Sequence, residues 1–171
     1  MSDIFDGFKY DKTETCQSLV HKNLFLIDYA VLVKSEGSQT KVQNSPVIDM
    51  DSLKTSLKIS PMPKSMDLAF IVSKITNNQK QFKKYILADF KFKVTSIANV
   101  DKNISNDEIK EKYNFSVSCI RSADSKIPCI NIAYFVFKDN NFEQIKNRWK
   151  RRNFNNPLNI AIKQSDFEVI F

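Results

Sequence analysis

The chain has little glycine, little proline and a single histidine. Its 171 residues include 2 Gly, 5 Pro, 3 Cys and His21. Because 42% of the residues are hydrophobic and 26% are charged, this composition excludes a disordered or low-complexity protein. Cys16, Cys119 and Cys129 are widely spaced and form no CxxC pattern, which argues against a zinc site. We interpret the cysteines as small buried residues of a protein in a reducing cytoplasm.

Long apolar runs are also missing. No stretch approaches the roughly 18 consecutive apolar residues of a membrane span. Residues 1–6 are acidic and lack the apolar core of a signal peptide. Neither a glycine-rich phosphate loop nor a serine-nucleophile elbow is present, which argues against nucleotide-binding and triad-hydrolase classes. We therefore expect one cytoplasmic domain over residues 1–171 that is not bound to a membrane.

Positive charge is abundant. The 26 Lys and Arg exceed the 19 Asp and Glu, giving a formal net charge of +7, which favours polyanionic partners. Five cations cluster near the end of a predicted helix: Lys146, Arg148, Lys150, Arg151 and Arg152. Such a cluster also complements the negative end of the helix dipole. Because its sign agrees with the net charge of the chain, we interpret it as a nucleic-acid-binding surface.

Hydrophobic spacing and turn signals predict a mixed α/β protein, with a central β-sheet flanked by helices. Capping signatures and apolar spacing predict helices over residues 11–27, 51–57 and 105–123, and another opening at residue 141. Apolar runs predict strands over residues 29–33, 67–74, 83–95, 129–137, 158–162 and 167–171. The strands over 67–74 and 83–95 are separated by a polar segment suited to a turn, so we expect an antiparallel hairpin.

Three charged residues lie on this predicted hairpin. Asp67 opens its first strand, and Asp89 and Lys91 share one face of its second strand, where Asp67 can converge on them. A buried, unpaired carboxylate is costly, so Asp89 is expected to be paired, solvated or metal-bound. Mg²⁺ prefers carboxylate and water oxygens, so the pattern predicts a metal-dependent phosphodiester-cleaving site. The alternative is a surface ion pair between Asp89 and Lys91, with Asp67 merely starting a strand.

An acid at the start of one strand, followed after residues 68–88 by Asp-x-Lys in the next strand, resembles the PD-(D/E)xK, or restriction-endonuclease-like, superfamily. The resemblance implies an αβββαβ core and a metal-dependent endonuclease that hydrolyses DNA, in restriction or defence. It implies that Asp67 and Asp89 bind Mg²⁺ or Mn²⁺ and that Lys91 is the catalytic lysine. It also implies a homodimer in which two active sites meet the two strands of a duplex.

The chain departs from the family pattern in places. Asp67 follows Met66 instead of the proline that names the motif. Some family members add an acid from the first helix; Glu14 is available, although its position favours a capping role. In several members a polar or basic residue on the helix after the motif approaches the site, and both Lys110 and Lys112 are available. The alternative function is a non-catalytic binding or immunity-type protein with a nuclease-like fold and a protein or nucleic-acid partner.

Overall fold

The computed structural model describes residues 5, 7–20, 25–58, 63–152, 154 and 159–171, with side chains left out at 18–20. The helices are α1 (Lys12–Val20), α2 (Tyr29–Ser35), α3 (Met50–Ser56), α4 (Ile97–Asn103), α5 (Asn106–Ala123), α6 (Phe142–Arg151) and α7 (Gln164–Phe167). The strands are β1 (Lys9–Tyr10), β2 (Leu26–Asp28), β3 (Pro46–Asp49), β4 (Leu68–Thr76), β5 (Gln79–Phe90), β6 (Cys129–Phe137) and β7 (Asn159–Lys163).

The strands form one mixed sheet in the order β2-β3-β4-β5-β6-β7, with β1 paired to β4. Neighbours from β2 to β5 are antiparallel, whereas β5, β6 and β7 are parallel to one another. The predicted fold class, a mixed sheet flanked by helices, is confirmed. Because β5, β6 and β7 run the same way, their carboxyl ends lie at one edge of the sheet, and the antiparallel β4 begins there. We call this edge the carboxyl edge.

Each face of the sheet has its own apolar core. Tyr85 and Leu87 of β5 belong to the core that α3, α4, α5 and α6 cover. Ile86, Ala88 and Phe90 belong to the opposite core, which α2 and α7 cover. Side chains alternate along a strand, so the residue between Ala88 and Phe90 is directed towards the α3–α6 side.

Several predicted elements are confirmed. Strand β6 has the predicted bounds, and β4 and β5 form the predicted antiparallel hairpin. Its turn contains Asn77 and Asn78 at φ 53° and 60°, a left-handed conformation that asparagine tolerates. The Ser105 side chain accepts the backbone N–H of Glu108 and so caps α5, as its capping signature predicts. In α6, helical spacing puts three apolar residues on one face, and all three are buried: Phe142, Ile145 and Trp149.

The strand predicted over residues 29–33 is wrong, because this segment belongs to α2. Asp28 caps the helix by accepting the N–H of Ala30, and the helical spacing of Tyr29, Leu32 and Val33 buries all three. Capping and burial thus outweigh the β-branched composition. The helix predicted over residues 11–27 is also too long. Helix α1 ends at Val20, residues 21–24 lie outside the described part, and position 27 belongs to β2.

The end of the chain also differs from the prediction. Residues 167–171 form no strand: α7 ends at buried Phe167 and is followed by a 3-10 turn at Glu168–Ile170, in which Ile170 is buried and Val169 is exposed. The predicted strand over 83–95 ends early, at Phe90, because a turn follows it. The strand predicted over 158–162 is found as β7, although position 158 lies outside the described residues. Strand β3 and helix α4 were not predicted.

None of the helices in the described part of the chain combines the length and apolar character needed to cross a bilayer. The helices instead pack on the sheet through buried faces.

Helix α1 is held additionally by polar contacts to the hairpin. Asp11 accepts the N–H of Glu14 at 3.0 Å, which confirms its predicted capping role. Asp11 also accepts hydrogen bonds from Ser73 at 2.8 Å and Lys80 at 2.7 Å, while Glu14 pairs with Lys83 at 2.9 Å. Glu14 is therefore committed to an ion pair within the fold.

We expect Asp11→Ala to lower the free energy of unfolding by about 2–4 kcal/mol, because the change removes a helix cap and two hydrogen bonds to a buried carboxylate. Urea denaturation measures this difference. Asp107→Ala, which removes an exposed acid from the first turn of α5, is the control and is expected to cost under about 1 kcal/mol. Equal losses in the two variants would contradict the role assigned to Asp11.

Candidate active site

Asp67 and Asp89 meet at the carboxyl edge. Asp67 directly precedes β4, and its backbone N–H donates to the carbonyl of Ala88 at 3.0 Å. Its carboxylate accepts the N–H of Phe90 and shares a hydrogen bond with the Asp89 carboxyl. The hairpin register therefore brings together the two acids that sequence spacing singled out.

Lys91 is the third predicted residue, and it lies on the same face as Asp89. Its Nζ is 2.8 Å from Oδ2 of Asp89. The side chain of Asp89 is only 1% exposed and that of Lys91 is 14% exposed. The alternative to a metal site was a surface ion pair between Asp89 and Lys91. The ion pair is present, but it is buried and not on the surface. A buried ion pair is costly to desolvate, so it indicates a role other than simple stabilisation.

A second lysine, Lys112, reaches the same carboxylate from α5. Its Nζ is 3.2 Å from Oδ1 and 3.1 Å from Oδ2 of Asp89, and its side chain is 12% exposed. The sequence left Lys110 and Lys112 as equal candidates, and the structure places Lys112 in the site while Lys110 is exposed. Helical spacing indicates which lysine faces the site: Lys112 lies three residues after buried Ile109 and four before buried Ser116, so it shares their face of the helix.

Helix α5 also positions the strand that carries Asp67. The hydroxyl of Ser116, which is fully buried, accepts the backbone N–H of Met66 at 2.8 Å. This hydrogen bond fixes the residue just before Asp67, while Lys112 lies one helical turn away from Ser116 on the same face. One helix thus sets the positions of both the acid pair and its second lysine, a role for Ser116 that sequence reasoning missed.

The two carboxyl groups have opposite pKa shifts. Burial, followed by repulsion from Asp89, raises the pKa of Asp67 well above its ordinary value of 3.8. Burial acts in the same direction on Asp89, but the charges of Lys91 and Lys112 outweigh it and lower the pKa of Asp89. Although burial opposes it, attraction to Asp89 and Asp67 raises the pKa of Lys112 above 10.5. Of the two carboxyl groups, Asp67 therefore keeps its proton to the higher pH, and Lys112 stays charged.

The acid pair fits a hard divalent cation. The two carboxyl groups lie side by side, and a cation bound by both would displace any proton held between them. No group of three or more His, Cys, Asp or Glu suited to a metal was found in the part of the chain that is described. Because carboxylates are its only donors, the pair itself suits Mg²⁺ or Mn²⁺, which prefer oxygen ligands and keep several waters, better than Zn²⁺.

One further acid lies near the site. Asp51, at the start of α3, is close enough to Lys112 for the lysine to affect it, but its carboxylate is engaged by Lys54 at 2.5 Å and by Ser65 at 2.9 Å. Burial opposes the shift, yet the hydrogen bonds from Lys54 and Ser65 lower the pKa of Asp51. The carboxylate of Asp51 therefore lies near the site, but it is already hydrogen-bonded to Lys54 and Ser65.

The basic cluster of α6 is partly neutralised within the fold. Arg148 makes two hydrogen bonds of 2.8 Å to Asp101 of α4, and Arg152 adds one of 3.1 Å. Lys150 and Arg151 are exposed, whereas Lys146 lies 5.6 Å from the centre of the Phe142 ring. Two of the five predicted nucleic-acid ligands therefore join α4 to α6. Trp149 is buried, as its helical spacing predicts.

The fold and site define a mixed α/β protein with a buried aspartate pair between two lysines at one edge of its sheet. Comparisons with protein-family models, curated proteins and solved structures found no match to this chain. Any functional assignment therefore depends on the chemistry of these four residues and their surroundings.

We expect two isosteric substitutions in this pair to change stability in opposite directions. Because the folded-state pKa of Asp67 is raised, its contribution to stability declines as the pH rises from 3.8 towards that raised pKa. Asp67→Asn removes this decline, so the metal-free variant is expected to become more stable than the wild type as the pH rises from 4 to 8. Denaturant unfolding at a series of pH values measures the difference.

Asp89→Asn is the matched comparison. It removes the charge that pairs with Lys91 and Lys112 and leaves two lysines largely buried, so we expect it to cost about 3 kcal/mol at neutral pH. The same unfolding measurement applies. Destabilisation of equal size by both substitutions would contradict the opposite pKa shifts assigned to the two aspartates.

Proposed function

We propose that the protein is a metal-dependent endonuclease of the PD-(D/E)xK type that hydrolyses DNA phosphodiester bonds. The observation that carries this proposal is the contact between Asp67 and Asp89 at the carboxyl edge, with Lys91 beside them. A protein that only binds a partner has no need for two buried carboxylates to converge, because their mutual repulsion costs stability. A catalytic site gains from the same convergence.

The order of elements supports the same proposal. Strands β3, β4 and β5 form an antiparallel meander, α5 follows, and β6 returns parallel to β5. With α2 in front, this gives the αβββαβ order that the resemblance implies, apart from the additional helices α3 and α4. The two acids lie where β4 and β5 of the meander meet, and Lys91 directly follows β5.

In the proposed reaction, Asp67 and Asp89 would hold Mg²⁺ or Mn²⁺. When bound, such an ion polarises the scissile phosphate and lowers the pKa of an attacking water. Lys91 and Lys112 bring two ammonium groups to the same carboxylate, where they offset negative charge that develops on the phosphate. Binding of the cation requires Asp67 to lose its proton, because both carboxylates must be ionised to serve as ligands.

The wider setting belongs to the same proposal. The resemblance implies a cytoplasmic protein, a role in restriction or defence, and a homodimer that presents two sites to a duplex. The net charge of +7 supports a polyanionic partner. Among the basic residues of α6, exposed Lys150 and Arg151 are the ones best placed for contacts to DNA phosphates.

A second candidate function is a non-catalytic binding protein with the same fold. One observation favours it: both carboxylate oxygens of Asp89 already lie within 3.2 Å of a lysine Nζ, so Asp89 is neutralised without an ion. In that case the four charged residues would form a structural network. Metal binding and DNA cleavage distinguish the two candidates.

Purified protein is expected to cut plasmid DNA with Mg²⁺ or Mn²⁺ and to lose this activity in EDTA. We expect Asp89→Asn and Lys91→Ala each to slow cleavage by about 100-fold or more, since the first removes a proposed metal ligand and the second removes an ammonium group that offsets the developing charge. Lys112→Ala is expected to slow cleavage by at least about 10-fold. Gel-based cleavage rates measure these effects.

Lys110→Ala is the control for this experiment, because it removes an exposed lysine from the same helix and is expected to leave the rate unchanged. Equal cleavage by the wild type and Asp89→Asn would reveal a contaminating nuclease. Absence of cleavage on duplex DNA, single-stranded DNA and RNA would favour the binding protein.

Metal binding can be tested without activity. We expect saturating Mn²⁺ to stabilise the wild type, by about 2.7 kcal/mol at 100 times the dissociation constant, since only the folded state assembles the acid pair. Thermal unfolding with and without Mn²⁺ measures this. The stabilisation is expected to vanish in Asp89→Asn and to persist in Lys110→Ala. An equal shift in all three proteins would place the bound ion elsewhere.

A further inference from the structure

A cleft of about 800 Å³ lies at the carboxyl edge on the side of the sheet opposite to Asp89. It is formed by α2, the turn that follows α2, and the residue after the end of β6. Its lining residues are Ala30, Lys34, Gly37, Ser38, Gln39, Thr40 and Lys138. The volume falls in the range of sites that take up a small ligand, so a nucleotide-sized group has room in it.

The charge of this cleft is positive. Two of its lining residues are lysines and none is acidic. Within the described ranges, neither Lys34 nor Lys138 forms an ion pair, whereas Arg148 and Arg152 of the basic cluster share Asp101. Two positive charges without a carboxylate partner in a concave site favour an anion, because the walls reduce solvent screening.

The wall of the cleft is fixed by hydrogen bonds. Gly37 has a φ of 85° and ends α2, with the N–H of Ser38 donating to the carbonyl of Val33 at 3.1 Å. The buried side chain of Gln164 holds the next residues: it accepts from the Ser38 hydroxyl at 2.7 Å and donates to the carbonyl of Gln39 at 2.6 Å. The polar wall is therefore preorganised, which lowers the entropic cost of binding.

The cleft adjoins the aspartate site across the edge of the sheet. The N–H of Lys91 donates to the carbonyl of Val136 at 2.8 Å, and Lys138 follows two residues later. Strand geometry therefore places the backbone of Lys138 within about 10 Å of the backbone of Lys91. Alternation along β6 puts Lys138 on the face opposite to Asp89. A chain of phosphates that crosses this edge can contact both sites.

Acids close the other end of the cleft. The adjoining cavity, of about 640 Å³, shares Ser38, Gln39, Thr40 and Lys138 with the cleft, and its further lining includes Lys41, Asp139 and Glu168. Asp139 accepts the N–H of Ser165 at 3.1 Å, and Glu168 accepts a hydrogen bond from Gln164 at 2.7 Å, so both carboxylates are fixed there. Their charge disfavours phosphates, and the favourable route for an anionic chain runs past Lys138 towards Lys34.

We propose that this cleft binds the phosphodiester backbone of the nucleic acid next to the scissile phosphate, with Lys34 and Lys138 as its phosphate ligands. The inference rests on the proposed function, because it takes the aspartate pair as the place of cleavage. In this arrangement the strand crosses the carboxyl edge between β5 and β6. The Thr40 hydroxyl lies on the same wall, where it accepts the backbone N–H of Val42 at 3.0 Å and keeps its own O–H as a neutral hydrogen-bond donor.

The test is the affinity of wild-type protein for a fluorescent DNA duplex and for the matching single strand, measured by anisotropy in EDTA so that no metal is bound. We expect the double substitution Lys34→Ala with Lys138→Ala to weaken binding at least about 10-fold in low salt. The slope of log affinity against log salt concentration is expected to fall by about 1 to 2, since up to two phosphate contacts are lost.

Arg121→Ala with Lys126→Ala is the matched control. It removes the same charge from exposed residues near the start of β6, at the opposite edge of the sheet, and is expected to change affinity less than 3-fold. Lys34→Arg with Lys138→Arg is expected to restore binding, because the positive charge is kept. Circular dichroism and thermal unfolding check that every variant is folded.

Equal weakening in the cleft variant and the control would overturn the inference, because it would show a response to net charge alone. Wild-type protein that binds neither DNA probe would overturn it as well. The proposed function fails separately: cleft-dependent DNA binding without metal-dependent cleavage would leave the cleft as a binding site and remove the nuclease. If the cleft variant binds DNA as tightly as the wild type and still cleaves it with metal, the cleft is not the binding site and the proposed nuclease function stands.

Discussion

The burial of the Asp89 carboxylate is the constraint on which the site depends. At 1% exposure, this group needs compensating charge, and Lys91 and Lys112 supply it from the turn after β5 and from α5. The position of α5 is in turn linked to the start of β4, because the hydroxyl of Ser116 accepts the N–H of Met66. The sheet, the helix that covers it and the acid pair are therefore coupled through a few hydrogen bonds.

The same charges explain why the aspartate pair fits a catalytic role better than a role in stabilising the fold. Asp67 is held against Asp89 by the hairpin register although repulsion and burial raise its pKa. A fold selected only for stability would place an amide or an apolar residue there. In the proposed metal site, a cation held by both carboxylates would relieve this repulsion, which is how such a site would differ from a structural ion network. The lysines of the neighbouring cleft, which have no ion-pair partner among the residues that the structure describes, extend this positive surface across the edge of the sheet.

Much of this arrangement could be predicted from the sequence. The alternation of apolar residues identified the hairpin, and it correctly put Asp89 and Lys91 on one face. The helical spacing that distinguishes Lys112 from Lys110 is present in the sequence, but contact between Lys112 and Asp89 follows only from the position of α5 against the sheet. The ion pairs of Arg148 and Arg152 with Asp101 could not be foreseen, because Asp101 lies on a helix that was not predicted. Helix α2 was missed because a single cap at Asp28 outweighed a β-branched sequence.

The most direct test of the central claim is a crystal structure of the protein soaked in Mn²⁺, with the anomalous signal of the metal measured. The proposed site predicts a peak between the carboxylates of Asp67 and Asp89, with metal–oxygen distances of roughly 2.2 Å and Lys112 displaced from at least one oxygen of Asp89. An aspartate pair that keeps its hydrogen bond and both lysines, with no anomalous peak at saturating Mn²⁺, would contradict it.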